Sequence, residues 1–137
     1  MMKRIAAALL FLASTVPAQA APERPEESKK IAFMQALPNV PGKSLIAVEV
    51  TYPPRGASPA HRHAPSAFIF AYVISGEIRS SVDDAPPRVF KAGESWFENP
   101  GAHHGVSENA SDTEPARLLA VFVADSDDHN LVIPDHH

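Results

Sequence analysis

The sequence contains no cysteine. Disulfide staples, thiolate zinc sites, iron–sulfur ligation and a cysteine nucleophile are therefore excluded together. Runs of one charge are also missing: 12 basic residues stand against 16 acidic ones, a formal charge of −4, with no block of either sign. A nucleic-acid binder carries a basic stripe or patch, and without one nucleic acid is not an expected partner. No apolar stretch reaches the roughly 20 residues that span a bilayer as a helix. Long helices are poorly served too, because 14 prolines are spread through 137 residues and each interior proline costs a helix about 3 kcal/mol. One ordinary globular domain fits the length, and the balance points to β structure.

Met1-Met2-Lys3-Arg4 supplies a short positive end, residues 5–16 form an almost unbroken apolar run, and Ala18-Gln19-Ala20 has small residues either side of a glutamine. That is the pattern of a secretory leader, with cleavage expected after Ala20. A periplasmic or secreted location is expected, with no stable membrane insertion after cleavage. An exported chain without disulfides draws its stability from its core, and from oligomerisation or a metal.

Residues 21–43 read as an arm followed by a first short strand. Within it, residues 21–30 are proline-rich and charged and suggest a flexible segment. From residue 44 to 123, short β-forming runs alternate with proline, glycine and aspartate punctuation. Asp83-Asp84-Ala85-Pro86-Pro87 sits between two of them and predicts a hairpin. Seven or eight strands at this spacing suggest a sandwich or small barrel. Residues 124–137 read as an acidic, histidine-bearing, solvated tail. Two runs, FIFAYVI at 68–74 and LLAVFV at 118–123, are apolar on both alternating faces. Strands of a lone barrel should be polar outside, so a homodimer interface is expected to cover them.

His61 and His63 are one residue apart, and on an extended strand such residues share a face at about 6.5–7 Å between Cα atoms. Two imidazoles so placed can converge on one divalent ion. His103-His104 follows Pro100-Gly101; adjacent strand residues face opposite sides, so one of this pair is expected to join them.

Around these histidines the sequence resembles the cupin superfamily, whose two motifs are G-x5-H-x-H-x3-4-E-x6-G and G-x5-P-x-G-x2-H-x3-N. Gly56, His61, His63 and Gly76 stand for the first; Gly93, Gly101, His104 and Asn109 for the second, with Asn99 where proline is usual. The resemblance implies an all-β, double-stranded β-helix (jelly-roll) barrel. It also implies one divalent metal ion per chain, of iron, zinc, nickel or manganese, held by His61, His63 and His104, with His103 outside the ligand set. The departure that matters is Ile69, which occupies the place of the glutamate in the first motif. Three neutral imidazoles alone leave the full charge of the ion uncompensated.

Glu98 is a candidate to supply that charge, as ligand or as acid/base, if it shares an inward face with Trp96. The same residue on the opposite face would be an ordinary solvated glutamate. Trp96, Phe68, Phe70, Tyr72 and Phe122 read as core, with Tyr72 able to line a cavity. Arg79 and Arg117 are candidates for a substrate carboxylate if they point inward, and Arg62 should face away from the site. Ser58, Ser66 and Ser107 have no visible base, which argues against a serine hydrolase.

Three functions stay open at this point. One is a metal-dependent enzyme, dioxygenase- or isomerase-like, acting on a small oxygenated or anionic metabolite. Another is a non-catalytic module that binds or senses a metal or a small ligand. The third is a barrel whose metal serves folding alone.

Overall fold

The computed structural model describes residues 20–136; apart from Ala20, the expected leader lies outside them. The strands are β1 (Ser28–Ala36), β2 (Lys43–Tyr52), β3 (Ala57–Ser58), β4 (His61–His63), β5 (Phe68–Ser75), β6 (Glu77–Val82), β7 (Arg88–Lys91), β8 (Ser95–Glu98), β9 (His103–Asn109), β10 (Ala116–Asp125) and β11 (Val132–Pro134). No helix occurs among the described residues. The strands pair antiparallel in two sheets, one ordered β1-β2-β10-β5-β8 and the other β11-β4-β9-β6-β7, with β3 also paired to β9.

Alternation sets the inside. Ala116, Leu118, Ala120, Phe122 and Ala124 of β10 are buried while Arg117 between them is exposed. On β5, Ile69, Ala71 and Val73 turn inward and Phe68, Phe70, Tyr72 and Ile74 outward. Two buried clusters result, one around Val50, Tyr52, Val73, Ile78 and Phe90, the other around Ala67, Ile69, Ala120 and Phe122. Turn chemistry fixes the register between strands. The β6–β7 hairpin falls at the predicted aspartate cluster, with Asp83 at φ 52°. Gly76 joins β5 to β6 at φ +72°, where a Cβ would meet the Pro115 carbonyl oxygen at 2.7 Å. Only glycine satisfies both demands.

Several expectations need correction. The segment 21–30 is not wholly a free arm: Glu26 bridges Ala57 and β1 starts at Ser28. The tail is not wholly solvated either, since β11 pairs with β4. Short strands of this kind take their conformation from a partner, which local composition does not report. Among the described residues eleven strands replace seven or eight, because β3, β4 and β11 are only two or three residues long. Phe68, Phe70 and Tyr72 are exposed and not core, whereas Phe122 is buried.

Candidate metal centre

Both paired sheets contribute to an internal cavity of about 440 Å³ lined by β1, β2, β4, β5, β8, β9 and β10. His61 and His63 project into it from β4, with exposed Arg62 between them turned away. His104 comes from β9, where its Cα pairs with that of His61. The three imidazoles are buried, and one nitrogen from each lies within 4.8 Å of the others. Three nitrogens placed tetrahedrally around an ion at 2.0–2.1 Å lie about 3.4 Å apart, so the widest pair draws in by up to about 1.4 Å when the ion binds.

Backbone carbonyls fix two of the tautomers. His61 Nδ1–H donates to the Pro59 carbonyl at 2.8 Å, and His63 Nδ1–H to the Leu131 carbonyl at 3.3 Å. In the neutral rings, each Nε2 is then left as a lone pair, the form a metal needs. His104 Nε2 lies 2.9 Å from Ser80 Oγ and its Nδ1 3.2 Å from Glu98 Oε1.

Glu98 enters from β8, opposite Ile69 in the β5–β8 register. The carboxylate missing at Ile69 is thus met by one on the neighbouring strand. Glu98 is 2% exposed, shares its face with Trp96 as expected, and accepts a hydrogen bond from Trp96 Nε1–H at 3.1 Å. Its other oxygen, Oε2, is buried and makes no aligned hydrogen bond, its near neighbour being His63 Nε2 at 2.9 Å. A contact this close is stabilised in one of two ways, by a proton between the two atoms or by a cation set between the carboxylate oxygen and the imidazole lone pair. The donor set therefore fits a divalent ion held by three imidazoles and one carboxylate.

The electrostatics agree. Burial alone would push the Glu98 carboxyl up, but His63 and His104 beside it and the Trp96 N–H outweigh this and hold it below its usual range. Burial lowers His104 to about 4, against the attraction of Glu98. His61 is lowered by burial too, with His63 adding repulsion. Near neutral pH the site holds an anionic carboxylate beside two imidazoles, those of His61 and His104, that resist protonation.

The remaining candidates lie elsewhere. His103 Nε2 contacts Asp135 Oδ2 at 2.7 Å, outside the cluster. Arg79 pairs with Glu108 and Arg117 with Glu49, both exposed, so neither reaches the cavity. Tyr72 is outside as well; the cavity tyrosine is Tyr52, whose hydroxyl bonds Ser107 Oγ at 2.7 Å and Ser58 Oγ at 3.0 Å. Ser66 donates to Asp128. Asn109 is a loop clamp: its side-chain amide donates to the Pro53 and Glu114 carbonyls. Sequence reading missed Tyr52, Ser80 and the Leu131 carbonyl. Tyr52 had a signal in its parity with Val48 and Val50 on β2; the other two had none.

A jelly-roll barrel with a histidine cluster and a carboxylate facing its interior defines a cupin-type site. The chain belongs to the cupin family: residues 48–122 match the cupin domain. A cupin domain from Schizosaccharomyces pombe Cnp3 is similar at 17% identity and TM-score 0.60 over 73% of this chain, and a protein with a double-stranded β-helix domain from Klebsiella pneumoniae at 22% and 0.60 over 78%. An oxalate oxidase in complex with the substrate analogue glycolate is similar at 25% identity and TM-score 0.53 over 58% of this chain. The likeness spans 62% of the yeast chain, 84% of the Klebsiella chain and 42% of the oxalate oxidase chain. No match is found among curated proteins.

Proposed function

We propose that this chain is an exported cupin that binds one divalent metal ion through His61, His63, His104 and Glu98 and uses it to act on a small oxygenated or anionic molecule. The observation that carries the reading is the convergence of three buried imidazoles on a buried carboxylate, with Glu98 Oε2 2.9 Å from His63 Nε2 and in no aligned hydrogen bond. When bound, such an ion supplies Lewis-acid polarisation of a substrate oxygen. The protein does the rest. The Pro59 and Leu131 carbonyls hold His61 and His63 in the ligating tautomer, and Trp96 orients the carboxylate. The apolar walls lower the polarity around the donors, which strengthens the charge interactions there.

The leader pattern at residues 1–20 supports export, and intact-mass analysis of the exported protein should place its N-terminus at Ala21. Phe68, Phe70, Tyr72, Ile74 and Phe97 leave an apolar outer face on β5 and β8, which supports a homodimer. Titration against a chromophoric chelator tests the metal centre. One ion per chain is expected, with Glu98→Gln weakening affinity by about 10–100-fold while the fold persists. Unchanged affinity in that variant would remove Glu98 from the ligand set.

One observation favours a binding role over turnover. Beyond the four donors, the deepest titratable group in the cavity is Tyr52, and two serines already occupy its hydroxyl. Ligand-raised melting without product would support that role.

A further inference from the structure

The walls of the cavity say what kind of molecule the centre takes. Ile46, Val48, Leu118, Ala120 and Phe122 form the surface facing the four donors. Charge is confined to the rim. Lys29 Nζ is bound to Glu27 Oε1 at 2.6 Å, so its ammonium is already compensated. Asp128 adds a carboxylate at the rim, accepting from the Ser66 hydroxyl and the Asn130 backbone N–H, beside the exposed side chains of His129 and Asn130. An anionic group placed away from the donors therefore meets hydrocarbon inside the cavity, or the Asp128 carboxylate and an already paired Lys29 at its mouth. Both are unfavourable.

The charge count at the centre points the same way. Three neutral imidazoles and one carboxylate reduce a divalent ion to a single net positive charge, which one monoanionic head neutralises. For a second anion the lining offers one cation, Lys29 at the rim, and that ammonium is already paired with Glu27.

We infer that the ligand is amphiphilic: one monoanionic oxygen head directed at the four donors, joined to an apolar body without a second charge. This rests on the metal reading above. It separates the chain from a site built for a small dianion, whose two ends both need polar partners. The volume, about 440 Å³, lies toward the lower end of the range for small-molecule sites and suits a short body.

The test uses the full chain, first titrated with zinc(II) to establish uptake. The zinc-loaded protein is then titrated calorimetrically with acetate, butyrate and hexanoate, and with succinate and adipate as dianions of matching length. Affinity should rise along the monocarboxylates by up to about fourfold per added methylene. Each dicarboxylate should bind at least about tenfold more weakly than its monocarboxylate partner. Ile31 lines the mouth and is 58% exposed, so Ile31→Arg adds a cation there without disturbing the core. That variant should recover about two- to fivefold in adipate affinity and leave acetate unchanged. Zinc uptake with a flat chain-length series, or with dicarboxylates binding as tightly as monocarboxylates, overturns the inference and leaves the metal centre standing. Failure to take up zinc overturns both.

Discussion

The two sheets face each other across one cavity and divide the chemistry unequally. The sheet containing β4 and β9 supplies all three imidazoles, while the sheet containing β2, β5 and β10 supplies hydrocarbon, and only its edge strand β8 adds a donor, Glu98. Donors concentrate on one wall because cross-strand pairing brings His61 and His104 together directly. The other wall is then free to be packed for stability and for the shape of a ligand. Substitutions on the two walls should therefore separate metal affinity from folding.

The largest separation is expected from His61→Ala. Dividing the roughly 10–16 kcal/mol of a four-donor zinc site among its ligands gives about 4 kcal/mol at most for one, a loss near a thousandfold in affinity. Chelator competition measures it, and the melting temperature of the metal-free variant should stay close to that of its parent. Phe122→Ala on the opposite wall should do the reverse. It should cost about 3 kcal/mol in denaturant unfolding while changing metal affinity by less than about threefold.

Acid probes both walls at once. His104 is lowered to about 4 in the folded chain from 6.5, so between those values the unfolded state binds the extra proton and the folded state does not. Stability of the metal-free chain should therefore fall as pH drops from 6.5 toward 4, by on the order of 2–3 kcal/mol. Glu98, held below 4.5, extends the loss to lower pH, because its contribution disappears as it takes up a proton. Unfolding curves at a series of pH values check the direction. A chain whose stability did not fall over this interval would place His104 in water rather than in the wall.

The smallest effect is expected outside the barrel. Phe70→Ser removes an exposed ring and should change single-chain stability by no more than about 0.5 kcal/mol. In light scattering it should move the proposed homodimer toward a single copy, and an unchanged mass would remove this face from the proposed interface.

Much of this division was legible in the sequence, and for identifiable reasons. His61 and His63 share a face by strand parity, and glycine and proline punctuation marked the hairpins. The inward turn of Glu98 depended on a face that Trp96 shares but does not by itself identify. Strand β5 was the hardest to read: apolar on both sides, it has no periodicity to say that Ile69 points in and Phe70 out. Lys29 and Leu131 were out of reach, because they enter the site only through the pairing of β1 with β2 and of β11 with β4. Those pairings join segments that local composition treats as arm and tail.

The bond from His63 to the Leu131 carbonyl spans 68 positions of sequence. A ribosome will have delivered every other donor long before the residue that sets this imidazole's tautomer emerges. Assembly of the centre is therefore a late event in the life of the polypeptide, and truncation just ahead of Leu131 should leave a barrel that captures its ion slowly and releases it readily.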